Sequence, residues 1–215
     1  MTLADLLAPL SAPIATIWGA PLTWMEVLGF GTGALCVWLV AKQHLWNWPI
    51  GLANNLLFLA LFATSGLYAD AGLQVVYMAL AIYGWWAWLH GGADHGALQV
   101  SRMPRVTAVW LGVATLLATV GLTLLLDRVT DSTVPAWDAV TTALSLAATY
   151  AQTRKQLACW GIWIAADVLY VPLYASKGLW LTAVLYLGFI ALCVNGYLSW
   201  KRDLAAPRET AELAA

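Results

Sequence analysis

The chain has 215 residues, 62% of them hydrophobic and 10% charged, with a net charge of -1. Soluble domains average about 45–50% apolar and about 25% charged residues, so this composition excludes a soluble globular protein and describes an integral membrane protein. No basic patch is present to neutralise phosphates, which excludes nucleic-acid partners.

Residues 1–23 contain no Lys or Arg and include Pro9, Pro13 and Pro21. That is wrong for the basic start of a cleaved signal peptide and reads as an interfacial lead-in. A first span covers 25–41, with Glu26 near its start and Lys42 after its end, as the helix dipole favours. After a polar break at 44–47, a second span starts at Trp48-Pro49, where a proline loses no helical donor, and ends near Ser65-Gly66. The third, 69–89, gathers Tyr83, Trp85, Trp86 and Trp88 at its far end. A polar linker over 90–105 closes this half. Residues 106–126 carry no charge and are long enough to cross a ~30 Å hydrocarbon core. Thr115, Thr119 and Thr123 repeat at four there and read as a packing stripe. Three more spans follow at 137–153, 160–175 and 179–200, then a polar tail, 201–215, read as frayed.

The basic residues sort by side. Lys42, Arg102, Arg105, Arg154, Lys155, Lys201, Arg202 and Arg208 fall on one face of the membrane, against Arg128 and Lys177 on the other. This predicts an N-terminus outside and a C-terminus in the cytoplasm. Sliding the sequence along itself until Glu26 meets Asp138 aligns 26–88 with 138–200 without a gap, and 14 of the 41 pairs from 48/160 to 88/200 are identical. The expected architecture is all-α with seven transmembrane helices in a 3+1+3 arrangement: repeats over 24–89 and 137–200, joined by 90–136. An even number of helices separates equivalent helices, so the repeats insert in the same direction, a parallel repeat like that of the SWEET transporters.

Chemistry concentrates in Trp160, Trp163, Asp167, Tyr170 and Tyr174, which share one face at spacings of three and four. Asp167 lies about 10 Å inside the span at a rise of ~1.5 Å per residue, close to the midplane. A carboxylate there costs on the order of 2.5–3.5 kcal/mol and marks a cavity or a partner. Its repeat mate is Asn55, beside Asn54, while Trp48 mates with Trp160. Gln74 and Tyr77 on the third span, with Tyr186 and Asn195 on the seventh, are further polar groups within reach of a central site. Each of these alone reads equally as a packing hydrogen bond. Asp167 reads as a substrate contact, a proton-coupling group or a packing residue, and Pro172 as a kink that frees the Val168 carbonyl. Cys36, Cys159 and Cys193 read as small buried hydrophobes, and His44, His90 and His95 as loop residues, so neither metal nor cofactor is expected. A retinal protein needs a lysine inside its last span, an intramembrane enzyme a His cluster, a Ser/His pair or a metal set, and a nucleotide-driven pump a P-loop. None is present. A solute carrier or a channel remains, and the repeated halves favour a carrier.

Two stretches carry a family resemblance. LYAD-x-x-LQVVY followed by YGWW-x-W in the first half, and W-x-x-W-x-x-x-D in the sixth span, resemble the Pnu family of bacterial vitamin transporters over roughly residues 24–200. The resemblance implies a homotrimer in the inner membrane, facilitated diffusion of nicotinamide riboside, and a cytoplasmic kinase that traps the arriving nucleoside. It also implies substrate contact by Trp160, Trp163 and Asp167, with Gln74 as a further contact. Many relatives carry Asn where this chain has Asp167, and related members carry thiamine or riboflavin.

Overall fold

A computed structural model describes residues 9, 12–17, 20–64, 68–129, 134–176 and 180–206. Seven α-helices are present among them: α1 (Trp24–Ala41), α2 (Asn47–Thr64), α3 (Tyr68–His90), α4 (Arg105–Val129), α5 (Pro135–Thr153), α6 (Ala158–Ser176) and α7 (Trp180–Ala205). Each predicted span falls on one of them. The expected ends at Ser65-Gly66 and Leu179 lie outside the described residues. Four helical stretches, in α3, α4, α6 and α7, are long and apolar enough by composition to cross a membrane.

Three regions differ from the sequence reading. The lead-in contains an antiparallel hairpin of β1 (Pro13–Ile17) and β2 (Ala20–Thr23), running directly into α1. Its threonine and β-branched residues suit a strand pair, but so short a run carries little periodic signal. The start of the tail is not frayed: α7 continues to Ala205, and Asp203 accepts a hydrogen bond from Gln43 at 2.7 Å. The linker is also tied down. Ser101 pairs with the second half through Ser101 N–H to the Lys155 carbonyl (3.0 Å) and Leu157 N–H to the Ser101 carbonyl (2.9 Å), while Leu98, Val100 and Met103 pack on the core.

The turns α1–α2 and α5–α6 have the same construction at matching positions of the two halves. His44 N–H bonds to the Leu39 carbonyl and Gln43 N–H to the Val40 carbonyl, both at 2.9 Å; Gln156 to Ala151 and Lys155 to Gln152 repeat them at 3.0 Å. This paired six-to-one and five-to-two closure is a Schellman cap, whose left-handed residue is usually glycine. Here Gln43 (φ 54) and Lys155 (φ 46) fill it, at a strain of roughly 1–2 kcal/mol each. Their side chains explain the choice: Lys155 Nζ donates to Gln43 Oε1 at 3.1 Å and lies 4.5 Å above the Trp88 ring.

Packing between the halves is reciprocal. Helix α3 packs on α5 and α7 on α1, while α4 packs on α5. Trp88 Nε1 donates to the Gln152 carbonyl (3.0 Å), and Trp200 Nε1 to the Val40 carbonyl (3.1 Å). The two indoles meet at 6.1 Å on the seam. Helix α5 is the hub, with Ala139, Ala143, Ala148 and Ala151 fully or nearly fully buried; small side chains let neighbouring helices approach closely. The α4 threonines are part-buried, each bonding the carbonyl four residues back. Much of the rest of α4, including Trp110, Leu116 and Leu117, is exposed apolar surface, while Leu111 packs against the core.

Candidate functional site

The helical spacing of α6 brings Asp167, Tyr170 and Tyr174 together, and α7 adds Tyr186 and Cys193. Asp167 is buried, and Cys193 Sγ donates to its Oδ2 at 3.8 Å. Three phenol rings stack beside it: Tyr170 and Tyr174 lie at 5.7 Å, Tyr170 and Tyr186 at 4.7 Å, and Tyr174 and Tyr186 at 5.2 Å. The hydroxyls of Tyr174 and Tyr186 lie close to each other. Tyr170 lies close to Thr141 and Ser145 on α5, and Tyr77 of α3 lies close to the same Ser145. Tyr77 thus brings a first-half residue to the polar cluster. Such a cluster offers flat faces for an aromatic ring, a carboxyl group, and hydroxyls that both donate and accept.

Trp163 sits one turn from Asp167 on α6, and its Nε1 donates to Gln152 Oε1 at 3.2 Å. Gln152 escaped the sequence reading because it lies at a span end among polar residues. The only signal was its register: its repeat mate is Val40, just as the mate of Trp163 is Gly51.

The other candidates are placed differently. Trp48 and Trp160 are buried at 3% and 1% exposure, each T-stacked on the last tryptophan of its own half: Trp48 on Trp88 at 5.2 Å and 87°, Trp160 on Trp200 at 5.3 Å and 82°. A β-carbon on Gly84 or Gly196 would collide with the Trp48 or Trp160 ring respectively. These two indoles hold the second and third helices of each half together. Neither indole N–H finds a hydrogen-bond partner among the described residues. Asn54 ties α2 to α1 through Nδ2 to Thr32 Oγ1 at 2.5 Å. Asn195 is exposed on α7, and Asn55 and Gln74 are half-buried. Helix α2 packs on α1 and α3, and α6 on α5 and α7, so Asn55 and Asp167 occupy matching positions, each on the middle helix of its own half. Val168 and Pro172 lie on the exposed side of α6, while Asp167 is on the buried side.

A bundle of apolar helices around a buried aromatic and acidic cluster, with its basic residues in turns and near helix ends, describes a multi-pass membrane protein. The sequence model of the nicotinamide mononucleotide transporter family matches residues 23–202. The chain belongs to that family. It is 28% identical over 207 residues to the nicotinamide riboside transporter PnuC of Escherichia coli (strain K12), covering 85% of this chain and 87% of that protein. It is equally 28% identical, over 180 residues, to the riboflavin/roseoflavin transporter RibM of Streptomyces davaonensis, covering 82% and 84%. A crystal structure of the vitamin B3 transporter PnuC shares the fold, with a TM-score of 0.66 and 22% identity over 85% of this chain and 82% of that one.

Proposed function

We propose that this protein carries nicotinamide riboside across the inner membrane by facilitated diffusion, its two halves rocking about a site near the midplane. The observation that carries this reading is the buried acid of Asp167 within a ring of phenols, one helical turn from Trp163. Nicotinamide riboside joins a cationic aromatic ring to a ribose; aromatic faces and a carboxyl group suit the first, and hydroxyls and carboxyl oxygens the second. The family description speaks of the mononucleotide, whose phosphate would need a cation. The described residues of the cluster include no Lys or Arg, and an acid stands in their place, so the riboside is the better fit. The reciprocal tryptophan bonds at the seam support a parallel twofold relation between the halves. With that relation, the charge sorting of the loops supports an N-terminus outside. A homotrimeric assembly and a cytoplasmic kinase that traps the nucleoside complete this reading.

A second reading follows from the similarity to RibM: a riboflavin carrier, with the Tyr, Thr and Ser hydroxyls meeting the ribityl chain. Calorimetric titration of the purified protein with nicotinamide riboside, its mononucleotide, thiamine and riboflavin separates the two. Nicotinamide riboside is expected to bind most tightly and the mononucleotide at least tenfold more weakly. Preferential binding of riboflavin overturns the assignment in favour of the second reading. Counterflow in liposomes is expected without any ion gradient, and a strict requirement for a proton gradient would make Asp167 a coupling group instead.

A further inference from the structure

Gln152 has two attachments that separate cleanly. Its backbone carbonyl accepts the Trp88 indole N–H at 3.0 Å, which fastens the end of α5 to the first half. Its side-chain Oε1 accepts the Trp163 indole N–H at 3.2 Å. An indole N–H is a donor with no acceptor capacity, so only an acceptor at this place can hold it. In the first half both members of this pair are missing together, Val40 standing at the position of Gln152 and Gly51 at that of Trp163. The pair occurs only in the half that carries Asp167 and the phenols.

We propose that Gln152 is a positioning residue: it fixes the plane of the Trp163 indole and so sets the face on which an aromatic substrate ring stacks. The proposal rests on Trp163 belonging to the binding site, as the proposed function has it. A ring on a two-torsion side chain presents a defined face only when something holds it. Packing against the core constrains the Trp163 ring on one side, and the Gln152 acceptor constrains its rotation. Without that acceptor the N–H loses its partner and the ring gains alternative orientations, which lowers affinity without altering the seam, because the backbone carbonyl of residue 152 remains whatever the side chain.

The test uses the full chain in detergent, labelled with ¹⁵N-tryptophan, in four variants: Gln152→Leu, Gln152→Glu, Trp163→Phe, and Gln152→Leu with Trp163→Phe. Titration with nicotinamide riboside is expected to show Gln152→Leu weakened by about tenfold, Trp163→Phe weakened at least as much, and the double variant no weaker than Trp163→Phe. Gln152→Glu, which keeps an acceptor, is expected to restore binding to near the wild-type value. Effects that multiply in the double variant, or wild-type affinity in Gln152→Leu while Trp163→Phe is weakened, overturn the proposal. Wild-type affinity in Trp163→Phe removes Trp163 from the site and takes the proposal with it. The indole N–H resonance that disappears in Trp163→Phe gives a readout free of substrate. It is expected to shift in Gln152→Leu and to hold its place in Gln152→Glu, and an unmoved resonance in Gln152→Leu overturns the proposal even if nicotinamide riboside proves the wrong substrate.

Discussion

The two halves solve the same packing problem with different chemistry. In the first, the Phe58 ring stacks on Phe62 at 5.7 Å, and a β-carbon on Gly29 would lie 2.9 Å from its tip. At the matching positions of the second, Tyr170 stacks on Tyr174 at the same 5.7 Å, and Thr141 stands where Gly29 does, close to the phenol. Across the seam the pattern recurs: Phe189 of α7 lies against Gly33 of α1, while at the equivalent places Tyr77 of α3 lies close to Ser145 of α5. Ring and glycine fit by shape; phenol and hydroxyl fit by shape and also set two polar groups side by side. The comparison separates what a shared scaffold requires from what was added to one side. Polar groups are gathered on α5, α6 and α7, and Tyr77 of the first half lies against them.

The largest expected effect tests that asymmetry directly. Asp167→Ala should weaken nicotinamide riboside binding on the order of 10–100-fold, the range for losing a hydrogen bond to an ionisable group, whereas Asn55→Ala should change it by less than about threefold. Calorimetry on both variants checks this, and equal losses would mean that the two halves share the site. Next in size is a test of the shared scaffold. Gly84→Ala and Gly196→Ala each push a β-carbon into an indole, and overpacking of this kind costs about 1–3 kcal/mol. Both should lower the thermal unfolding midpoint by similar amounts. A large drop in one and none in the other would show that the tryptophan–glycine stacks do not bear equal weight.

The smallest expected effect distinguishes the two Schellman caps, whose left-handed residues are Gln43 and Lys155. Burial pulls the Lys155 ammonium down from the ordinary 10.5 to about 8, with Asp203 opposing it. The groups around it are Gln43, which bonds it, Trp88 beneath it, and Asp203, which accepts from Gln43. Between about 8 and 10.5 the unfolded chain holds this proton while the folded one has released it, so stability should rise with pH across that window. Below it, the cost of burying the charge is fully present. Lys155→Met should flatten the rise in the thermal midpoint. A slope identical to that of the unsubstituted protein would assign the rise to another group.

Much of this was legible in the residues. Long apolar runs predicted each of the seven α-helices among the described residues, because in lipid the backbone has to satisfy itself locally and a run must be long enough to span. The spacing of Asp167, Tyr170 and Tyr174 predicted a shared face. Trp48 and Trp160 were harder: a tryptophan at the start of a span reads as an interfacial anchor or as a stacking platform, and only a glycine in the following helix, Gly84 or Gly196, reveals a packing partner. Asn195 shows the converse, since helical position alone did not say which side of α7 is exposed. The hairpin and the extension of α7 to Ala205 were not legible, the first being too short for periodicity and the second polar in composition.

By itself the sequence determined the membrane class, the spans, the register that sets 26–88 against 138–200, and the acid in the sixth span, because each rests on local composition or on spacing along the chain. The tertiary structure decided which of the twelve candidate side chains meet. Tyr77 joined the polar cluster and Gln152 reached Trp163 because α3 and α6 both lie against α5, and the packing of one helix on another depends on surfaces that are distant in sequence.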